Sequence, residues 1–308
     1  MSFIPSFKKA KRYLGVDFGT SSLKVVELED AGGKPKLVTY GIAEQGCDIG
    51  KLEGTAQLEG VARLLKELAK RAKVSTNKVI AGLPGFSIFS SIINLPKMSE
   101  RELAEAVRWE AKKFIPLELE DVILDWKVLK PMTGAAAESQ AGEGKPAHER
   151  ILLTAAPRAL VQKYIDVIQS AELEFVSLET ESFALTRSLV GFDPSTVLII
   201  DVGALTTHLS IIEDEIPILH RSLDVGGTEM TRAIALALTI TEDRAEQFKR
   251  DVGLGGGEDS QGIPEAISHS LDRVVQEASY LLKLYRHDHA TGHVEKIILT
   301  GGSSYLDG

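Results

Sequence analysis

The 308-residue chain is 44% hydrophobic and 26% charged, an ordinary globular composition with enough length for two lobes and a large core. Its net charge of −9, with no long Lys/Arg stripe, argues against a nucleic-acid partner. A single cysteine, Cys47, excludes an intramolecular disulfide and a cysteine-based zinc cluster, and no apolar run is long enough to span a bilayer.

Residues 1–12 mix Phe3, Ile4 and Phe7 with Lys8, Lys9, Lys11 and Arg12 and read as a short lead-in with no signal-peptide pattern. Tyr13–Asp17 is an apolar strand ending in a glycine turn. Leu23–Glu29 and Lys36–Ala43 follow as strands joined at Gly32-Gly33. Leu58, Val61, Leu64, Leu65 and Leu68 recur at helical spacing, which predicts an amphipathic helix over about 56–72. Lys78–Leu83 reads as a buried strand closed by Pro84-Gly85.

A second unit begins with a strand over Phe86–Leu95. Ser99 with Glu102 forms a capping box for a helix whose apolar stripe is Leu103, Ala106, Val107, Ala111 and Phe114, stopped by Pro116. Val122–Leu129 and Glu149–Ala155 are strands, and residues 131–149 between them read as an exposed mobile loop. A helix (about 159–171), a strand (Phe175–Leu178) and a helix (Ser182–Leu189) lead to Gly191-Phe192-Asp193-Pro194, the predicted boundary between lobes. The strand Thr196–Asp201, helices at about 228–238, 242–251 and 264–288, and the strand Lys296–Thr300 complete the chain, ending in Gly301-Gly302. The Gly253–Gly257 stretch follows a helix and reads as a C-cap and loop. His287 and His289 read as helix C-terminal histidines that favour its dipole, not as a metal pair.

The informative event is a repeat. Leu14-Gly15-Val16-Asp17-Phe18-Gly19-Thr20 is echoed by Leu198-Ile199-Ile200-Asp201-Val202-Gly203-Ala204, which implies two related lobes of an α/β fold. In each copy a glycine lets backbone N–H groups close round a phosphate, while the Asp at the strand end can hold a hydrated divalent cation. Gly19, Thr20, Ser21 and Lys24 supply the first loop; Gly203, Thr206 and Thr207 supply the second. One such turn alone is an ordinary hairpin. Two of them, plus Gly301-Gly302-Ser303-Ser304 after a buried strand, point to a nucleotide.

These turns resemble those of the actin/Hsp70/sugar-kinase superfamily. Leu95-Pro96-Lys97-Met98-Ser99, the block Ala106–Pro116 and Asp125-Trp126 resemble the PilM-type proteins of type IV pilus assembly, with cell-division FtsA as a relative. The resemblance implies a two-lobed actin-like fold of duplicated ribonuclease H-like domains. Residues 1–85 and 156–192 would form the first lobe, with an inserted α+β subdomain at 86–155. Residues 193–227 and 290–308 would form the second lobe, with a helical subdomain at 228–289. It implies ATP and Mg²⁺ held between the lobes, with Asp17 and Asp201 at the metal. Gly226 and Gly227 would approach the phosphates or ribose, and Gly301, Gly302 and Ser303 the adenosine. Glu246, Lys249 and Arg250 would border adenosine and ribose; a solvated charged helix face is the alternative. Glu181, with Glu179 as substitute, would polarise the attacking water, making the chain at most a slow ATPase.

Ala204 and Leu205 stand where many relatives have glycine or other small residues, so looser contact with a γ-phosphate is expected. Relatives continue beyond the position of Gly308 with a helix and strand pair, so the chain reads as truncated, and FtsA's C-terminal membrane helix has no counterpart. The implied role is a cytoplasmic adaptor, peripheral at the inner membrane, that takes the tail of a PilN-like membrane protein in a groove between the first lobe and the 86–155 unit. Other pilus components would be partners, and self-association is allowed by the fold. Trp109 and Phe114 are candidate anchors, with core packing the expectation for at least one. An FtsA-like division role and a sugar kinase are the alternatives, although no Asp base for a kinase stands out.

Overall fold

A computed structural model describes residues 11–115, 117–129, 148–255, 263–288 and 292–307. The loop expected at 131–149 lies almost wholly outside them, as does His289. By internal contacts the chain forms two compact units. The first comprises 1–84 and 157–180, the second 85–156 and 181–308.

In the first unit, β1 (Arg12–Phe18), β2 (Leu23–Asp30) and β3 (Pro35–Ala43) form an antiparallel meander. β4 (Lys78–Leu83) and β8 (Glu174–Thr180) extend it in parallel, giving the order β3-β2-β1-β4-β8. Gly32 and Gly33 both lie at positive φ, 73° and 87°, which explains the glycine pair in the β2–β3 turn. α1 (Thr55–Arg71) buries Val61, Ala62, Leu65, Leu68 and Ala69, the stripe its sequence period predicts. α3 (Arg158–Ser170) buries Leu160, Tyr164, Val167 and Ile168, and the Tyr164 ring meets Phe18 edge to face.

The second unit carries a four-stranded sheet in the order β11-β10-β9-β12. It is built from β9 (Val197–Val202), β10 (Thr207–Glu213), β11 (Ile216–Leu223) and β12 (Lys296–Thr300). Its three antiparallel strands and one parallel neighbour of the first strand repeat the arrangement of β3-β2-β1-β4. α5 (Gly227–Leu238), α6 (Glu242–Val252) and α7 (Ile263–Asp288) pack on it through Leu209, Ile211, Met230, Ile234, Ala245, Ile267 and Leu281, each inaccessible to solvent.

The same unit contains a three-stranded sheet, β5 (Phe89–Pro96), β7 (His148–Pro157) and β6 (Val122–Val128), in the order β5-β7-β6, with α2 (Glu100–Ala111). Ser99 caps α2: its Oγ accepts from the Glu102 amide at 3.4 Å, and Glu102 accepts from the Ser99 amide at 3.0 Å. Such a box is worth about 1 kcal/mol. Leu103, Val107 and Ala111 of α2 close a core with Ile93, Leu95, Ile151 and Leu153. Val107→Asp would strand an unpaired charge there and cost several kcal/mol.

Three elements depart from expectation. Residues Gly85–Ser87 form a single 3₁₀ turn, so β5 begins at Phe89 and not at Phe86. The helix expected at Ser182–Leu189 is a short α4 (Glu181–Leu185) followed by a π turn (Thr186–Val190) that Gly191 ends at φ +60°. Strand β11 was not expected, because its hairpin turn is Asp214-Glu215. Both residues take positive φ, 51° and 65°, without the usual Asn or Gly.

Candidate functional site

The second unit gathers most of the predicted site residues. β9 delivers Asp201 to its C-terminal end, where β12 places Thr300 beside it, and Gly301 follows. Gly301 sits at φ +88°. A Cβ there would lie 2.4 Å from the Val202 carbonyl oxygen and 2.5 Å from Asp201 Oδ1, so only glycine fits. The turn after β9 closes by a 2.9 Å bond from the Gly203 amide to the Thr206 carbonyl, leaving Ala204 and Leu205 at its tip. The amides of Gly227 and Thr228 donate to the carbonyls of Gly203 and Ala204, at 3.0 and 2.9 Å. Side chains on Gly226 or Gly227 would collide with Ala204 O or Ser303 Oγ. Three glycine-bearing segments, 203–206, 226–227 and 301–303, therefore converge. Beside Gly302 nothing lies within 4 Å of an added Cβ.

Two predicted residues act differently from expectation. Thr207 is wholly buried, and its hydroxyl donates to Val225 O at 2.7 Å; it braces the 225–227 segment instead of facing a phosphate. Lys249 is buried too. Its ammonium donates to Gly227 O (2.9 Å), Thr231 Oγ1 (2.8 Å) and Glu246 Oε2 (2.6 Å), so three protons meet three internal acceptors. Lys249 is thus neither on a solvated face nor available to a ribose; it locks α6 to the start of α5. Glu246 also accepts from Arg250 at 2.9 Å. Partial burial pushes the Glu246 carboxyl up, but hydrogen bonds from Lys249, Thr231 and Arg250, with the Lys249 charge, bring it down to about 2. Arg250 itself is exposed.

In the first unit, Asp17 and Lys24 are register partners on β1 and β2, and Lys24 Nζ bonds Asp17 Oδ2 at 2.9 Å, both half exposed. Lys24 therefore reaches its own hairpin's carboxylate. Gly19 closes the turn on Ser22 O at 3.1 Å, and its carbonyl takes the Cys47 amide, with Thr20 and Ser21 between. Glu181 opens α4, and its carboxylate accepts from the Gly85 amide at 3.4 Å.

The three-stranded subdomain corrects a further expectation. Neither Trp109 nor Phe114 is in the core: Trp109 is 68% and Phe114 48% exposed. Lys113 lies over the Trp109 ring at 4.8 Å, and Phe114 stacks on Phe89 with centroids 6.4 Å apart. The core-facing residues of α2 are covered by its own sheet, and these aromatics lie outside that core, among the exposed apolar side chains of the subdomain.

Two residues that sequence reasoning missed stand next to the second turn. His208, the register partner of Asp201, lies 3.2 Å from Thr206 Oγ1 through Nε2, and His220 stacks on it at 5.9 Å. Burial, then the neighbouring His220, push His208 down to about 4; burial also lowers His220. The available signal was the period-2 polar stripe Thr206, His208, Ser210 opposite His220, Ser222.

A family model described as "Type IV pilus assembly protein PilM" matches residues 15–308. Among solved structures, the chain is similar to a "PilM-PilN type IV pilus biogenesis complex" at 28% identity and TM-score 0.77, covering 96% of this chain and 83% of that one. It also resembles MreB5 of Spiroplasma citri bound to AMPPNP (18% identity, TM-score 0.51, 97% and 86% covered). A MamK double helical filament matches at 14% identity and TM-score 0.55, with 96% and 87% covered. These last two share the actin-like fold. The chain belongs to the PilM family of type IV pilus assembly proteins.

Proposed function

We propose that this chain is an ATP-binding adaptor of the type IV pilus assembly machine, docking the cytoplasmic tail of a PilN-like inner-membrane protein. The observation that carries this reading is the relative solved with PilN, which matches 96% of the chain. Among the described residues no helix is long and apolar enough to cross a membrane, so a partner tail supplies the route to the inner membrane from the cytoplasm. The exposed Trp109 and Phe114 are the anchors: large rings that enter an interface without leaving a cavity behind.

ATP with Mg²⁺ fits the residues present. The converging glycines of the second unit leave open space at Gly302, and Asp201 and Asp17 each offer one strand-end carboxylate, suited to a cation that keeps most of its water. Mg²⁺, when bound, neutralises phosphate charge. Gly203 and Thr206 would hold phosphate on the second turn, Gly19, Thr20, Ser21 and Lys24 on the first. Gly302, Ser303, Glu246 and Arg250 would border the nucleoside. Lys249, Gly226, Gly227, Gly301 and Thr207 keep these segments in place. Glu181 is the candidate to orient water, and with that one group and no arginine finger evident in the sequence, hydrolysis would be slow.

The test is capture by a synthetic PilN-like tail in parallel with FtsZ. Tail capture that Trp109→Ala weakens by about tenfold or more, without change in melting temperature, is expected. Capture by FtsZ alone would replace this reading with a division role. Turnover near ~10 s⁻¹ would overturn the adaptor reading.

A further inference from the structure

The second phosphate turn is continuous with a chain of side-chain hydrogen bonds along β10 and β11. Thr206 Oγ1 lies 3.2 Å from His208 Nε2, and His208 Nδ1 lies 2.9 Å from Ser222 Oγ. Ser222 Oγ is 3.2 Å from His220 Nε2, and His220 Nδ1 is 2.9 Å from Ser210 Oγ. Ser182 Oγ closes the far end, 3.3 Å from that nitrogen. Both rings are clamped. Phe86 stacks on His208 at 6.0 Å and 10°, and a Cβ on Gly85 would stand 2.5 Å from His220 Nε2.

A neutral imidazole has one N–H and one lone pair, and a hydroxyl has one proton. A chain that alternates them has two states in which every proton points the same way along it; in a third, Ser222 accepts from both rings and Thr206 again donates to His208. In one, Thr206 donates to His208 Nε2, each following group donates onward, and the chain runs inward to Ser210 and Ser182. In the other every bond reverses. Ser210 donates to His220 Nδ1, His220 Nε2–H to Ser222, Ser222 to His208 Nδ1, and His208 Nε2–H to Thr206. Only the second state leaves the Thr206 proton free to point out of the turn. A phosphate oxygen only accepts, so it is bonded by the second state and repelled by the lone pair presented in the first.

We propose that His208 is a positioning residue for the phosphate turn: as its Nε2–H tautomer, held by Ser222 and His220, it turns the Thr206 hydroxyl toward a bound phosphate. His208 does not touch the phosphate itself. The proposal rests on the ATP-binding reading of this turn.

The experiment is ¹⁵N-histidine NMR of the wild-type chain with and without ATP–Mg²⁺, together with ATP titrations of variants. In the ATP-bound protein His208 and His220 carry their protons on Nε2. A proton on His208 Nδ1 in that state overturns the proposal. His208→Gln, whose amide nitrogen can take the place of Nε2, binds ATP within about threefold of wild type. His208→Asn, which reproduces only the Nδ1 side, loses about tenfold, the worth of one positioned hydrogen bond. In a Thr206→Val background His208→Asn costs nothing further, whereas an undiminished loss there shows a purely structural role. The wild-type tautomer measurement stands even where a variant does not fold. A wild-type chain that binds no ATP removes the nucleotide reading and this proposal together. Binding with the Nδ1–H tautomer removes this proposal alone.

Discussion

The two Asp-x-Gly hairpins occupy the same place in similar sheets, yet their cross-strand partners differ in kind. On the first, Asp17 faces Lys24, a permanent and half-exposed cation; on the second, Asp201 faces His208, a neutral ring inside a Ser/Thr/His chain. The packing round the turns is alike in kind: Gly226, Gly227 and Gly301 hem in the second and Gly46 the first, all positions where a Cβ would strike backbone or side chain within 3 Å. The strand-end carboxylate thus recurs in both copies, beside a half-exposed ammonium in the first hairpin and a neutral hydroxyl–imidazole chain in the second.

The largest expected effect breaks the second hairpin alone. Gly301→Ala forces a Cβ against Val202 O and Asp201 at positive φ and costs about 2–4 kcal/mol, read as a fall in melting temperature. Gly302→Ala, one residue on and in open space, stays within about 0.5 kcal/mol. Equal loss in both would mean that the convergence at Gly301 is not what holds the segment.

Removing either carboxylate tests whether the hairpins are equivalent at the metal. Asp17→Ala and Asp201→Ala each weaken ATP binding about tenfold or more by calorimetry when Mg²⁺ is present and little without it. A loss independent of Mg²⁺ assigns them to bracing the strand ends.

Salt separates the two kinds of donor. Lys24→Met lowers ATP affinity a few-fold at low ionic strength, and the difference from wild type shrinks toward 0.5 M salt as the exposed charge is screened. The effect of Thr206→Val, which removes a neutral hydroxyl, keeps its size across the same range. Matching salt slopes for the two variants would erase the distinction.

The smallest effect is on stability against pH. Folded His208 stays neutral down to about 4, whereas the unfolded chain protonates near 6.5, so the unfolded state binds more protons between these values. Stability is intact above about 6.5 and falls as pH drops through that window; denaturant titrations of His208→Gln show a flatter profile. Phe86, His220, Thr206 and Ser222 face the ring, and His220 adds to the slope. Glu246, held near 2, acts lower: its stabilisation is present above about 4.5 and lost as pH falls toward 2. The first hairpin has no histidine, so its unit contributes nothing in the upper window through such a pair.

Much of this was legible in sequence because it depends on near neighbours. The glycine turns, the capping box at Ser99, the stripe of α1 and the strand Lys296–Thr300 each follow from residues a few positions apart, although that strand is not buried as expected: Ile297 and Leu299 are exposed. Strand β11 was hidden because Asp214-Glu215 adopts a turn that its residues disfavour, held there by pairing with β10. The short α4 was hidden because a helical stripe looks the same whether its last turn is α or π. Phe114 belongs to the apolar stripe that periodicity assigns to a core, Trp109 lies off it, and only the packing of α2 on its own sheet showed both rings outside.

Sequence by itself therefore determined the duplicated strand-and-turn plan, since an apolar strand, an Asp and a glycine constrain one another over a few residues. Tertiary structure alone decided which side chains turn inward and which stay open at those turns. Lys249 turns inward because α6 packs on α5, where Gly227 O, Thr231 and Glu246 give its ammonium the three partners a buried charge requires. His208 and His220, twelve positions apart, become one hydrogen-bonded system only because β10 and β11 pair in the register that sets them across Ser222. Long-range pairing of that kind has no signature in local propensity, because its free energy exists only once both strands are in place.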